Sequence, residues 1–209
     1  MRKLNGRFLE KNLIAEAGLT IKIVRNAIEY THQILDQIDE KLLAVGADRM
    51  SQTVELANLS SMVGNLLGAG IARLSDGRFR RNGPHKYPDI LANSTVVKDI
   101  EIKISLEKNI PKGHLAKAGY YLTCRYVLVD ESYNFNPDKR GEIVEIWEAR
   151  FGFLDEKHFN LSNTPGDSGK TAVINKAGMD ELKVIYVNLG ICPYTKNSTT
   201  FKSYQRLVQ

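Results

Sequence analysis

Residues 97–105 read Val-Lys-Asp-Ile-Glu-Ile-Lys-Ile-Ser, a nearly strict alternation of apolar and polar side chains. Because successive side chains of a β-strand point to opposite faces, this alternation predicts a half-buried strand. The buried face would carry Ile100, Ile102 and Ile104. The opposite face would carry Asp99, Glu101, Lys103 and Ser105. A carboxylate and an ammonium group would therefore stand two residues apart on the same side of one strand.

A second carboxylate precedes this strand. Pro88-Asp89 is followed, after a gap of eleven residues, by Glu101-Ile102-Lys103. Proline fixes φ and favours an extended backbone, which predicts Asp89 at a strand end or turn. A turn near residues 91–94 would fold the strand that ends at Asp89 back onto the strand 97–105 as a hairpin. Cross-strand neighbours lie within about 5 Å of each other, so one divalent cation could bridge Asp89 and Glu101.

Two carboxylates and a lysine at one point match the chemistry of a magnesium-dependent phosphodiesterase. Mg²⁺ prefers one or two carboxylate ligands and fills its remaining positions with water and phosphate oxygens. Lys103 could hold or deprotonate the attacking water, or offset the charge that develops on the phosphate. The alternative interpretation is an ordinary amphipathic edge strand whose Glu and Lys side chains are only solvated. The strand by itself leaves both interpretations open.

The distribution of basic residues favours the phosphodiester interpretation. The net charge of the 209-residue chain is +5 at pH 7, and basic side chains are concentrated between residues 73 and 86 and again between residues 108 and 125. Basic segments on both sides of an acidic pair are expected where a phosphate backbone surrounds a metal centre. A solvated helix-to-strand loop would give the first cluster without any ligand. The candidate DNA contacts in these segments are Arg80, Arg81, Lys112, His114 and Lys117.

Length and composition predict a single domain over residues 1–209. With 43% hydrophobic residues, the chain can bury a sizeable core. The periodicities predict a mainly helical part over residues 1–75 and a mixed-sheet catalytic core over residues 76–209. Strand candidates after the motif are residues 120–129, 143–153, 172–175 and 183–187. Helices first and a mixed sheet afterwards indicate a layered α/β or α+β domain.

Two apolar stripes mark the predicted helices. The second runs from Leu59 to Leu74, and the first consists of Ile34, Ile38, Leu42 and Val45. The second helix contains three glycines whose expected use is close approach to a neighbouring element, Gly64, Gly68 and Gly70. Glu55 would share the buried face of this helix, where a carboxylate needs a partner. It could be a third acid near the metal, or a first-turn glutamate stabilised by the helix dipole.

The sequence argues against several other classes of protein. Cys124 and Cys192 are too few and too far apart for a disulfide scaffold or a zinc site. No apolar run approaches the length of a membrane span, and the N-terminus lacks the apolar stretch of a signal peptide. We therefore expect a cytoplasmic protein without a membrane partner. Residues 166–171 read Gly-Asp-Ser-Gly-Lys-Thr, but Thr164 occupies the position where a nucleotide-binding P-loop needs glycine, so no nucleotide cofactor is expected.

Pro88-Asp89, the eleven-residue gap, Glu101-Ile102-Lys103 and the apolar strand that follows resemble the PD-(D/E)XK nuclease superfamily. In size and layout, the chain is most similar to type II restriction endonucleases, and the resemblance covers residues 50–130. It implies a restriction-endonuclease-like core, with a central mixed sheet flanked by helices. It also implies Asp89 and Glu101 as metal ligands and Lys103 as the catalytic lysine. Some members add a glutamate from the preceding helix, and Glu55 is the position that could match.

The resemblance further implies a reaction and an assembly. A Mg²⁺-activated water would attack phosphorus in line and cut double-stranded DNA, leaving 5′-phosphate and 3′-hydroxyl ends. A type II enzyme typically works as a homodimer, and each active site cuts one strand of a palindromic duplex. The alternatives within the same fold are a structure-specific repair or recombination nuclease and a DNA-binding protein that does not cleave. An inactive relative would usually lack an acid or the lysine, and all three are present here.

Two polar segments are candidates for reading DNA sequence. Residues 132–140 and 160–171 are rich in Asn, Ser, Lys or Arg, which are side chains that contact bases and phosphates. Both also have ordinary turn compositions. The second segment supplies the candidate DNA contacts Asn163, Ser168 and Lys170.

Overall fold

The computed structural model describes residues 2–10, 17–84, 86–162 and 171–209. Within these residues the α-helices are α1 (Ile21–Ala44), α2 (Met50–Thr53), α3 (Leu56–Leu74), α4 (Lys176–Glu181) and α5 (Thr199–Val208). The strands are β1 (Arg7–Phe8), β2 (Phe79–Arg81), β3 (Ile90–Ala92), β4 (Ile100–Leu106), β5 (Lys112–Gly113), β6 (Gly119–Val129), β7 (Ile143–Leu154), β8 (Phe159–Ser162), β9 (Thr171–Ile174) and β10 (Lys183–Val187). In the same ranges, each helix is too short or too polar to cross a membrane.

Seven strands form a central sheet in the order β1-β10-β7-β6-β4-β3-β2. Strands β4 and β6 pair in parallel, from Ile100 opposite Tyr120 to Leu106 opposite Tyr126. The other neighbouring strands of this sheet are antiparallel. A second sheet has three strands in the order β5-β9-β8. The chain is therefore an α/β protein with a large mixed sheet flanked by helices, as the sequence predicts.

Strands β3 and β4 form the predicted hairpin, in which Ile90 lies opposite Ile100. The predicted strand limits are wrong, however, because β3 begins directly after Asp89 instead of ending there. Residues 91 and 92, which were expected in the turn, belong to β3, and the connection covers residues 93–99. The antiparallel register still brings Asp89 level with Glu101, so the hairpin places the two acids side by side.

Helices α1 and α3 cover the face of the sheet that carries the isoleucines of β4. This packing is close because α3 has glycine at its points of contact. A Cβ atom added to Gly64 would lie 3.1 Å from Ile104, and one added to Gly68 would lie 3.3 Å from Ile102. One added to Gly70 would lie 2.9 Å from the Cα atom of Ala27 in α1. Such separations are shorter than ordinary contacts between carbon atoms, which are about 3.5–4.0 Å. The prediction that these glycines allow close approach is confirmed.

The buried stripe of α1 differs from the predicted one. Val45, which was expected on the apolar stripe, is 80% exposed. The helix instead buries three polar residues, Thr31, His32 and Asp39. Each of the three has a hydrogen-bond partner; for example, the backbone N–H of Ile146 donates to His32 Nε2 at 3.1 Å. Hydrophobic periodicity alone could not predict this stripe, because three of its residues are polar. Such residues can be buried when their polar groups are hydrogen-bonded.

A buried ion network holds α5 against the opposite face of the sheet. Glu148 on β7 accepts hydrogen bonds from Arg125 Nε and, at 2.7 Å, from Arg150 Nε. The Tyr204 hydroxyl of α5 donates to Glu148 and accepts from Arg125 at 2.6 Å and from Arg150 at 2.7 Å. Burial would raise the pKa of Glu148, but Arg150 and Arg125 hold it below its ordinary value. The carboxylate therefore stays ionised inside the protein.

Replacing Arg125 with methionine is expected to lower the free energy of unfolding by about 3–5 kcal/mol, because Glu148 would stay buried without one of its two cations. The matched control is Arg206→Met on the exposed side of α5, for which the expected change is within about 0.5 kcal/mol. Urea unfolding followed by circular dichroism measures both variants. If Arg125→Met had the same free energy of unfolding as the parent protein, the stabilising role of the network would be contradicted.

Candidate active site

Asp89 and Glu101 hold each other in place through the backbone of the hairpin. The backbone N–H of Asp89 donates to Glu101 Oε2 at 3.2 Å, and the backbone N–H of Ile102 donates to Asp89 Oδ2 at 2.9 Å. Each carboxylate thus accepts a hydrogen bond from the segment that carries the other. The two acids predicted as metal ligands are therefore neighbours with fixed side chains.

Lys103 completes this group on the same face of β4. Its Nζ donates a hydrogen bond to Glu101 Oε1 in an ion pair. The Lys103 side chain is 18% exposed and the Glu101 side chain 9% exposed, so salt screens this pair less than it would a surface pair. The face is opposite to the one on which α3 packs. The three residues of the predicted motif converge on one spot.

Opposing effects act on the pKa of Glu101, and the effects that raise it are the stronger. Burial raises the pKa of Glu101 above its ordinary value. The Lys103 ammonium opposes this effect through its charge and its hydrogen bond, whereas the charge of Asp89 adds to it. The negative charge of one carboxylate disfavours the ionised form of a neighbouring one. A divalent cation between them would favour their ionised forms, so the electrostatics fit a cation site.

The loop before Asp89 is held by Asn82, which the sequence pattern does not single out. Asn82 Nδ2 donates to the Pro88 carbonyl at 2.8 Å, and the Asn82 backbone N–H donates to the Asp89 carbonyl at 2.9 Å. Asn82 Oδ1 also accepts from the Gly83 backbone N–H at 2.8 Å. The two bonds to the carbonyls of Pro88 and Asp89 fix the backbone from which the Asp89 carboxylate projects. The available signal was the Asn-Gly pair, a turn signal that does not reveal which residues the turn supports.

Tyr87 and Lys117 form a basic feature beside the acids. Lys117 Nζ lies 4.5 Å from the centre of the Tyr87 ring, in a cation–π contact. The Tyr87 hydroxyl donates to the Ala118 carbonyl at 3.2 Å. Burial raises the pKa of Tyr87, and the charges of Glu101 and Asp89 add to this effect because both lie near the ring. Lys117, a predicted DNA contact, therefore lies against a residue that borders the two acids.

The remaining predicted DNA contacts occupy different surroundings. Arg80 is exposed and, by strand alternation, points to the same side of the sheet as Glu101. Arg81 points to the other side, where its guanidinium donates to the backbone and side-chain oxygens of Asn65 on α3 at 2.6 and 3.0 Å. Two more are exposed in β5 and just after it, Lys112 and His114. Outside the described residues lie Asn163, Ser168 and Lys170.

Glu55 is not brought to the acid pair. It is the exposed residue just before α3, and α3 packs on the face of the sheet opposite to Glu101. Near the start of α3, the Ser60 hydroxyl bonds the Tyr126 hydroxyl at 3.0 Å, and Tyr126 lies opposite Leu106 at the far end of β4. The expected buried position of Glu55 is therefore wrong. The helix begins one residue after Glu55, which leaves its side chain outside the apolar stripe.

Asp89 and Glu101 have the chemistry of a magnesium site. Mg²⁺ needs only one or two protein carboxylates and completes its coordination with water and phosphate oxygens. In residues 2–10, 17–84, 86–162 and 171–209, no three Asp, Glu, His or Cys side chains are grouped closely enough to hold a metal by themselves. A carboxylate pair can hold such an ion and leave coordination positions for water and a phosphate.

The sequence matches no protein-family model, and no curated protein sequence matches it at a significant level. The contacts among Asp89, Glu101 and Lys103 therefore carry the functional proposal. The chemistry of the site suits an anionic substrate, because an adjacent cation can offset negative charge.

Replacing Lys103 with methionine is expected to raise the pKa of Glu101 further in the metal-free protein, because a charge and a hydrogen bond that favour the carboxylate would be lost. Lys108→Met is the matched control, since Lys108 is exposed beyond the end of β4 and should leave that pKa unchanged. Carboxyl ¹³C chemical shifts followed through a pH titration measure both variants. An unchanged Glu101 pKa in Lys103→Met would contradict the ion pair.

Proposed function

We propose that the chain is a Mg²⁺-dependent endonuclease with a restriction-endonuclease-like PD-(D/E)XK core. Its substrate would be double-stranded DNA, cut at a specific sequence as by a type II restriction enzyme. The observation that carries the proposal is the convergence of Asp89, Glu101 and Lys103 on the polar face of β4. The proposal places the enzyme in the cytoplasm, where its DNA substrate is available.

The proposed reaction is hydrolysis of a phosphodiester. Asp89 and Glu101 would hold Mg²⁺, which would supply Lewis-acid activation of a water molecule and of the scissile phosphate. The water oxygen forms a bond to phosphorus and gives up a proton to solvent, while the bond between phosphorus and the 3′-oxygen breaks and the 3′-oxygen takes up a proton. Lys103 is held beside these acids, so its ammonium can orient the water or offset charge on the phosphate. The products are a 5′-phosphate and a 3′-hydroxyl.

The basic residues around the acids support binding of a phosphate backbone. Arg80 is exposed on the side of the sheet that carries Glu101, and Lys117 is held over Tyr87 next to the acids. Lysine and arginine contacts to phosphates supply most of the sequence-independent affinity for DNA. In the proposed assembly two copies form a homodimer, and each copy cuts one strand of a palindromic site.

Incubation of plasmid DNA with the protein and Mg²⁺ tests the proposal. Discrete fragments are expected, and Asp89→Ala and Lys103→Met should each reduce the cleavage rate by at least about a hundredfold. Asp180→Ala on the exposed surface of α4 is the matched control for the acid and should cleave like the parent. Asp89→Ala should still bind DNA, because removing an acid reduces charge repulsion with phosphate.

The other outcomes of this digestion are informative. Smearing, or cutting only at branched DNA, would favour a structure-specific repair or recombination nuclease. If the parent protein bound DNA without cleaving it, the proposed endonuclease activity would be refuted. Equal cleavage by the parent and Asp89→Ala would place the chemistry elsewhere in the protein.

Arg80→Ala is expected to weaken DNA binding uniformly across sequences and to lower the slope of log affinity against log salt by about 1, as for the loss of one phosphate contact. Arg81→Ala is its matched control on the same strand, because the Arg81 guanidinium is already bonded to Asn65. Fluorescence anisotropy with labelled duplexes at several salt concentrations measures both slopes. If Arg80→Ala kept the same slope as the parent protein, the proposed contact between Arg80 and a DNA phosphate would be wrong.

A further inference from the structure

The backbone of β5 lies against the end of the Lys103 side chain. A Cβ atom on Gly113 would lie 2.7 Å from Cε and 3.1 Å from Nζ of Lys103. Carbon atoms in contact normally lie about 3.5–4.0 Å apart, so a side chain at this position would collide with the lysine. The glycine therefore leaves the space that Lys103 occupies when it reaches Glu101.

The strand that carries Gly113 is attached to the fold independently of Lys103. Gly113 pairs with Ala172 of β9 in the three-stranded sheet. Just before β5, the Asn109 carbonyl accepts a hydrogen bond from Ser105 Oγ of β4 at 2.8 Å. These two attachments hold the β5 backbone in place beside β4. The Lys103 side chain has four rotatable carbon–carbon bonds, so in a collision the lysine moves and the strand stays.

We propose that Gly113 is a positioning residue, because the absence of a side chain at this position lets the Lys103 ammonium lie beside Glu101. The inference rests on the proposed function, in which Lys103 is the catalytic lysine. A methyl group at position 113 would displace the end of Lys103 and leave the pairing of β5 with β9 intact. The consequence is a loss of catalysis without a comparable loss of folding or of DNA affinity.

Gly113→Ala tests the proposal, and Gly83→Ala is its matched control. A Cβ atom on Gly83 would lie 3.6 Å from Lys86 Cγ, which is an ordinary contact. In protein labelled with ¹³C at lysine Cε, the Lys103 signal is assigned by its loss in Lys103→Met. That signal should shift in Gly113→Ala and keep its position in Gly83→Ala. The Tm of both glycine variants should stay within about 2 °C of the parent.

The cleavage assay supplies the second measurement. Gly113→Ala should lower kcat by about a hundredfold, the loss expected for a misplacement of about 1 Å in a catalytic group. Its Kd for DNA, measured without Mg²⁺, should equal that of the parent, because Gly113 is not a phosphate contact. Gly83→Ala should match the parent in both quantities.

The two measurements separate this proposal from the proposed function. An unshifted Lys103 signal in Gly113→Ala overturns the positioning role, whatever the cleavage result. A shifted signal with parental kcat overturns its part in catalysis. A parent protein that does not cleave DNA refutes the nuclease, while the NMR measurement still decides whether Gly113 sets the position of Lys103.

Discussion

The packing of β4 between two unlike layers is the constraint on which the site depends. Its isoleucines fit against the glycine-lined surface of α3, and its charged side chains face the other way. A shift of one residue would turn every side chain of the strand over and carry Glu101 and Lys103 into the apolar core. Burying these charges in the core would cost far more free energy than the strand pairing contributes. Apolar packing therefore fixes the register, and the polar site follows from it.

Charges on that polar face are compensated to different degrees. Glu148 has two arginines and a tyrosine hydroxyl, and its pKa is lowered although it is fully buried. Glu101 has one lysine and a neighbouring acid, and its pKa is raised. A fully compensated carboxylate stabilises the fold, whereas an incompletely compensated one retains capacity for a further cation. Glu101 is therefore better suited than Glu148 to the proposed cation, although both acids occupy the same side of the sheet.

Local sequence patterns were sufficient for the main strands and for the acid pair. The period of two in β4 and the limits of β10 are properties of a few adjacent residues, and the structure reproduces them. The contacts of Asn82 and Gly113 could not be predicted, because each depends on segments brought together only by the fold. Glu55 was misplaced for a related reason: its orientation depends on the residue at which α3 begins, and helix starts are poorly defined by periodicity.

The pairing of the three-stranded sheet leads us to expect that the site assembles in two steps. Asp89 and Glu101 are joined by a short hairpin, whose closure has a small entropic cost. The strand beside Lys103 is fixed by β9, which pairs residue 113 with residue 172. Contacts between residues so distant in sequence form slowly, because the loop must close before the pairing stabilises it. During refolding we therefore expect Asp89 and Glu101 to come together early. The space around the Lys103 side chain should become restricted later, when β5 pairs with β9.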